Sequence, residues 1–286
     1  MMHETTKTNQ QVWFVTGANK GIGLAIVKEA LERGHQVVAT ARNTEEATHR
    51  LGTHPNLLIV KLDVTHDHHV KEAVEATVER FGRVDVLVNN AGYGLVGYFE
   101  EMSEERIRRQ FETNVFGTMK VTRAVLPLMR AQESGLVITV SSTSGIKAVA
   151  GGSVYSATKF ALEGWTEGMN IDMEPFGIRF MLLEPGPFRT DFANEQASMQ
   201  MPDLTLNAYE GAREKLVQVF RTMNGTQSGN PAKLAKGLLN VVNSEEVPLR
   251  LLISKPAIPA VDAYYKNRFA EFEKWQAVSA DSDFEE

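Results

Sequence analysis

A short apolar run, Val12-Trp13-Phe14-Val15, passes directly into Thr16-Gly17-Ala18-Asn19-Lys20-Gly21-Ile22-Gly23, and a helical apolar periodicity follows at once in Leu24-Ala25-Ile26-Val27-Lys28-Glu29-Ala30-Leu31. This restricts the fold severely, because a buried strand must turn through three closely spaced glycines and deliver the chain to a helix N-terminus. The first N–H groups of such a helix lack partners within it and attract phosphate, and glycines let backbone come close to a pyrophosphate. The spacing is GxxxGxG and not the commoner GxGxxG, so the generic dinucleotide fingerprint does not license the assignment alone.

Beyond the turn, short apolar runs alternate with longer helical patterns, as βαβ units and a parallel sheet require. The runs predict seven strands: Val12–Thr16, Gln36–Ala41, Leu57–Leu62, Val84–Asn89, Leu136–Ser141, Ile178–Glu184 and Leu249–Ile253. Helices are expected to begin near Gly21, Thr44, Asp67, Ser103 and Ser153. Right-handed crossovers place every strand C-terminus on one edge, where open α/β sheets bind ligands, and Thr16, Asn89, Ser142 and Pro185 fall there.

Tyr155 and Lys159 share a helix face at i and i+4, and Ser142 precedes the tyrosine at the end of a strand. A phenol has a pKa of about 10, and a nearby cation favours its phenolate, which brings the group toward acid/base work. Ser142 can hold the reacting oxygen.

With these pieces in place the chain resembles the short-chain dehydrogenase/reductase family over most of its length. The matching segments, in family order, are Thr16 to Gly23 for the pyrophosphate, Asp63-Val64 beside the adenine, Asn89-Asn90-Ala91-Gly92 after the fourth strand, Asn114 in Thr113-Asn114-Val115-Phe116-Gly117, then Ser142, Tyr155 and Lys159, and Pro185-Gly186-Pro187-Phe188-Arg189-Thr190 on the nicotinamide side. The resemblance implies one Rossmann-type domain, a doubly wound parallel seven-stranded sheet in three α/β/α layers. It implies Asn114, Ser142, Tyr155 and Lys159 as catalytic residues. For the cofactor it implies Gly17, Asn19, Lys20, Gly21, Ile22, Gly23, Asp63, Val64, Asn90, Ala91, Gly92, Tyr155, Lys159, Pro185, Gly186, Phe188 and Thr190. It implies in addition a homodimer or homotetramer, and a water bound by Asn114 that links Lys159 to solvent.

The second strand speaks to the cofactor's phosphate. A carboxylate at its end selects NAD by binding the ribose 2′-OH, whereas Arg accommodates a 2′-phosphate. The strand ends Thr40-Ala41-Arg42 without an acid, and Lys20 in the glycine turn offers a second cation, so NADP(H) is the expected cofactor. The reaction expected is interconversion of a small-molecule carbonyl and its alcohol. An NADPH-binding sensor with little turnover is the alternative, and the intact tetrad argues against it.

A length of 286 residues fits one large α/β unit. A formal net charge of -6 gives no electrostatic reason to expect nucleic acid, and without cysteine there are neither disulfides nor thiolate metal sites. No run reaches the roughly 18 apolar residues of a spanning helix, and the polar start Met1 to Lys7 lacks a signal-like core, so a cytoplasmic location and no membrane partner are expected. His66, His68 and His69 flank Asp67 where a helix begins and find no second ligand set. Glu100-Glu101 and Glu104-Glu105 suit dipole compensation at a helix start.

Between Pro187 and the last strand lie Phe188, Phe192, Met199, Met201, Leu204, Leu206, Tyr209, Val217, Phe220 and Met223, the expected substrate lid over about 187–230. Its apolar, methionine-rich character suits hydrophobic ketones or alcohols, with Tyr93, Leu95, Val96 and Val149 as opposite walls, although helical spacing through Tyr209–Phe220 equally suits packing. A C-terminal extension over about 255–286 ends in Asp281-Ser282-Asp283-Phe284-Glu285-Glu286, expected to be a mobile tail.

Overall fold

The computed structural model describes residues 10–193, 199–281 and 284, so both the polar start and most of the acidic end lie outside the described residues. Its strands are β1 (Val12–Val15), β2 (Gln36–Ala41), β3 (Leu57–Lys61), β4 (Val86–Asn89), β5 (Gly94–Leu95), β6 (Gly135–Val140), β7 (Ile178–Pro185), β8 (Met199–Gln200) and β9 (Arg250–Ile253). Seven form one sheet in the order β3-β2-β1-β4-β6-β7-β9, and every pairing is parallel. The chain enters at the middle, winds outward through β2 and β3, and returns beside β1 as β4. That reversal opens a crevice at the strand ends, the usual ligand position in doubly wound sheets.

Helices are α1 (Gly21–Glu32), α2 (Thr44–Leu51), α3 (Asp67–Phe81), α4 (Glu104–Phe111), α5 (Gly117–Ala131), α6 (Ser153–Met173), α7 (Glu210–Met223), α8 (Pro231–Val242), α9 (Ala257–Lys274) and α10 (Gln276–Ala280). On one face Ile26, Val27, Leu234 and Leu238 of α1 and α8 pack against Trp13, Val15, Val37 and Val88. On the other, Val70, Val121, Val125 and Met129 of α3 and α5 meet Phe14, Val38, Leu87 and Phe180. With both faces covered, alternate residues of one strand enter different cores, so the strands read as unbroken apolar runs. Side-chain caps start α2, α4 and α8, where Asn43, Ser103 and Asn230 accept from backbone N–H groups.

The expected strands hold to within two residues at each end. Two features were not legible. Gly94–Leu95 pairs with Met199–Gln200 in a separate small sheet, strands too short to leave a periodic trace. Between α4 and α5 a π-helical turn, Glu112–Phe116, interrupts an otherwise continuous helix. Among the described residues no helix is long and apolar enough to cross a membrane.

Candidate active site

The glycine turn is braced by polar groups of the fourth strand's end. The Thr16 hydroxyl donates to Val88 O (3.3 Å) and accepts from Asn90 N (2.9 Å) and Ala91 N (3.0 Å), while Asn90 Nδ2 donates to Thr16 O (2.8 Å) and Gly17 O (3.0 Å). Gly17 stands at φ 63°, and a Cβ there would come within 3.0 Å of Ala91 Cα. A Cβ on Gly23 would lie 2.5 Å from Asn90 Nδ2 and 2.6 Å from Gly17 O. Asn90 thus spends its side chain on the turn. Lys20, at the N-cap of α1, gives that helix no side-chain cap, and its first N–H groups suit a phosphate. The cradle therefore fits a dinucleotide, with Gly21, Ile22 and Gly23 opening the helix.

Lys20 is half-buried, and burial lowers its pKa; the carboxylates of Asp191 and Glu46 oppose this, and the cations Arg42 and Arg50 add to it. Arg42 is exposed at the end of β2. Asn19 Nδ2 donates to Glu46 Oε2 (2.8 Å) and Arg50 pairs with Glu46 Oε1 (2.9 Å), so an acid of α2 also stands near this corner. Asp63 accepts from Thr65 N (3.0 Å) and Thr65 Oγ1 (2.7 Å). Burial pushes its pKa up, but these bonds, with His66 and Arg42, hold it below the usual carboxylate range. Val64 packs under Gly117. At the far side Pro185 closes β7, Gly186 faces Ser254 and Ala257, Thr190 lies against Gly21, and Phe188 packs on Gly229.

Ser142 leaves β6 and caps a tight 3₁₀ turn, its Oγ accepting from Ser144 N (3.1 Å). Tyr155 and Lys159 lie in the first turns of α6. Ser142 hydrogen-bonds the Tyr155 hydroxyl, and Lys159 Nζ sits 5.7 Å from the Tyr155 ring centroid while donating to Val140 O (2.8 Å). The structure thus brings Ser142, Tyr155 and Lys159 together. Asn114 joins them through the π turn: its Nδ2 donates to Tyr93 O (2.9 Å) and Thr158 Oγ1 (3.2 Å), and its Oδ1 accepts from Tyr93 N (3.1 Å). A π turn inside an α-helix often marks a functional site, and here it seats an asparagine between the loop after β4 and α6.

The protonation balance differs from the expectation of a tyrosine tuned downward by Lys159. Burial dominates and pushes the Tyr155 hydroxyl up to about 12, with Ser142 partly opposing. Burial also brings Lys159 down to about 8, against the charge of Glu163. A phenol in that state is a proton donor.

The 187–230 segment is pinned at its base, where Arg189 N donates to Gly229 O (2.8 Å) and Gly229 N to Pro187 O (3.1 Å). Phe192 lies 5.6 Å from Tyr155, ring to ring, over Gly94. Tyr209 stacks on Tyr98 at 4.6 Å. Of the expected walls, Leu95 and Val96 are buried and Val149 is exposed; of the lid residues, Met199 is buried while Leu204 and Leu206 face solvent. Two acidic features escaped the sequence. Glu101 is fully buried and paired with Arg213 of α7, although its position at a helix start suggested a solvated face. Glu163 and Glu184 are buried together, and the one hint was that Glu163 follows Lys159 by a helical turn. The rings of His66, His68 and His69 pack on one another, and no group able to hold a metal occurs among the described residues.

An open parallel sheet with a phosphate cradle at its switch point and a Ser-Tyr-Lys cluster beside it defines a nucleotide-dependent oxidoreductase of the α/β class. The model of the short chain dehydrogenase family matches residues 11–201, and the chain belongs to that family. It is 36% identical over 271 residues, 94% of this chain and 98% of the relative, to oxidoreductase BOA17 of Botryotinia fuckeliana. It is 34% identical to human retinol dehydrogenase 8, covering 82% of this chain and 79% of that one. A short-chain dehydrogenase structure from Streptomyces avermitilis superposes with a TM-score of 0.86 at 39% identity, covering 96% of this chain and all of the other. Structures of the same fold have been solved with NAD and with NADP.

Proposed function

We propose that this oxidoreductase reduces the carbonyl of an apolar ketone or aldehyde with NADPH, and runs the reverse alcohol oxidation at the same site. The observation that carries this reading is the cluster of Ser142, Tyr155 and Lys159, with Lys159 Nζ 5.7 Å from the Tyr155 ring centroid, at the strand edge that also forms the glycine cradle. When bound, the cofactor supplies the hydride. Tyr155 donates the proton to the carbonyl oxygen, and Ser142 hydrogen-bonds the same oxygen as charge develops there. Lys159 holds positive charge near Tyr155, and Asn114 fixes the loop after β4 against α6. Phe192, above Tyr155, excludes water and favours an apolar group next to the reacting carbon. Retinol, the substrate named for one relative, is such a molecule.

Arg42 and Lys20 favour NADPH, because the Arg42 charge reaches Lys20 and the pair offers donors and positive charge to a 2′-phosphate. The test is a screen of NADPH consumption against aliphatic aldehydes, cyclic ketones, aryl ketones, β-ketoesters and steroid-like ketones. Turnover by wild type, with Tyr155→Phe binding NADPH normally yet inert, is the expected result. A Tyr155→Phe variant of near-normal turnover overturns the assignment. Arg42→Ala is expected to weaken NADPH by about 1.5–3 kcal/mol and leave NADH nearly untouched; equal losses refute the preference.

A further inference from the structure

One helical turn beyond Lys159, the Glu163 carboxyl meets Glu184 of β7 and Arg250 of β9. Arg250 Nε stands 3.4 Å from Glu163 Oε2 and 3.8 Å from Glu184 Oε1, and its Nη2 donates to Glu167. A Cβ on Gly145, in the turn that follows Ser142, would lie 2.6 Å from Ser141 Oγ and 3.1 Å from Glu163 Oε1. The Glu163 carboxyl therefore reaches the turn that carries Ser142 while standing on the helix that carries Lys159.

One guanidinium faces three carboxylates here, and the side chains of Glu163 and Glu184 are only 11% and 3% exposed. Glu163 Oε1 and Glu184 Oε1 are buried without a hydrogen-bond partner. Two such carboxylates cannot both ionise cheaply, and a proton held between them relieves both the repulsion and the missing bond. Burial, then the charge of Glu163, pushes Glu184 up to about 8, and burial raises Glu163 as well. Tyr265 of α9 is the remaining titratable group facing the pair, besides Lys159, Glu167 and Arg250.

We propose that Glu163 and Glu184 share one proton and serve as a positioning pair for the active site, the charge left on Glu163 keeping Lys159 protonated beside Tyr155. This rests on the catalytic reading of Tyr155 and Lys159 given above. Without that charge, burial strips the lysine of its proton, and the phenolate that forms when Tyr155 gives up its proton loses its neighbouring cation. Glu184, holding the proton, hydrogen-bonds Glu163 and favours its charge, a bond that a glutamine at 184 can still donate, so Glu184→Gln leaves the lysine its proton. Of the two carboxylates only Glu163 reaches Lys159 with its charge, so the two glutamine variants should differ at the lysine although both disturb the same buried pair.

Two measurements test the pair. Infrared difference spectra of the protein alone, taken through an alkaline titration, should show a protonated carboxyl band in wild type that disappears well above the usual carboxylate range. Folded Glu184→Gln, checked by circular dichroism, should lack it, and in folded Glu163→Gln it should disappear at lower pH than in wild type, because burial still raises Glu184 while the neighbouring charge is gone. Absence of the band in wild type, or its persistence in Glu184→Gln, overturns the proposal. In the second, 1-phenylethanol oxidation with NADP+ is followed against pH. The rising limb should move up by about one pH unit in Glu163→Gln and stay in place in Glu184→Gln. Movement in the same direction in both variants, or in neither, also overturns it. An active Tyr155→Phe would instead overturn the catalytic reading, and the infrared result would then judge the shared proton by itself.

Discussion

The two halves of the cleft are held by different means. On the cofactor side, the Asn90 and Thr16 side chains bond backbone groups of the glycine turn and of the loop after β4, and there is no room for a Cβ at Gly23. On the substrate side, besides the short β5–β8 pairing, the segment around β8 and α7 is fastened to the stretch from β5 into α4 by pairs of side chains: Arg213 to the buried Glu101, Tyr209 to Glu100, Ser103 to Asp203 Oδ2 (2.6 Å), and Arg106 Nη1 to Gln200 Oε1 (3.0 Å). Bonds onto backbone atoms around close-packed glycines give a fixed shape. Side-chain fastening can be changed one residue at a time, so the second half is where one scaffold acquires different substrates.

If the contrast is real, changes on the two sides should separate cofactor affinity from substrate affinity. The largest effect is expected from Arg213→Met, which leaves Glu101 buried with its charge unpaired; breaking a buried pair costs about 3–5 kcal/mol. Faster amide exchange over 199–213 and a raised KM should accompany an unchanged NADPH Kd. A parallel loss of NADPH affinity would break the comparison. Next comes Gly23→Ala, whose methyl meets Asn90 and the Gly17 carbonyl. Overpacking of this kind costs about 1–3 kcal/mol, and here it should fall on NADPH affinity, read by fluorescence titration, with amide exchange over 199–213 unmoved.

The same contrast explains what the sequence disclosed. The sheet, its order of segments and the cradle were legible because strand burial on both faces writes continuous apolar runs, and because a tight turn near Gly17 and Gly23 demands glycine. Tyr155, Lys159 and Ser142 were legible through helical spacing and a strand end. Glu101 was not, because nothing local distinguishes it from Glu100; only Arg213, more than a hundred residues later, makes it buried. Glu184 was hidden likewise, since its partners Glu163 and Arg250 come from a helix and a strand distant in the chain. The π turn at Asn114 left no mark because its residues continue the helical pattern of α4 and α5.

The smallest effect, from Ser103→Ala, sharpens the comparison by probing one fastener that carries two duties. Ser103 Oγ accepts from Arg106 N as the cap of α4 and donates to Asp203, whose carboxylate also accepts from Ser103 N (3.0 Å). Losing the cap costs about 1 kcal/mol. The Ser103 side-chain bond is the foremost cause holding the Asp203 pKa below its ordinary value, followed by the backbone bond. A depressed carboxyl adds stability above its unfolded pKa and loses it as pH falls through the folded one. Ser103→Ala, which removes the larger cause, should therefore unfold with a shallower loss of stability on acidification than wild type. Thermal melts of both proteins across the acid range check this, and an equally steep or steeper loss in the variant would show that Asp203 takes no part in fastening the segment around β8.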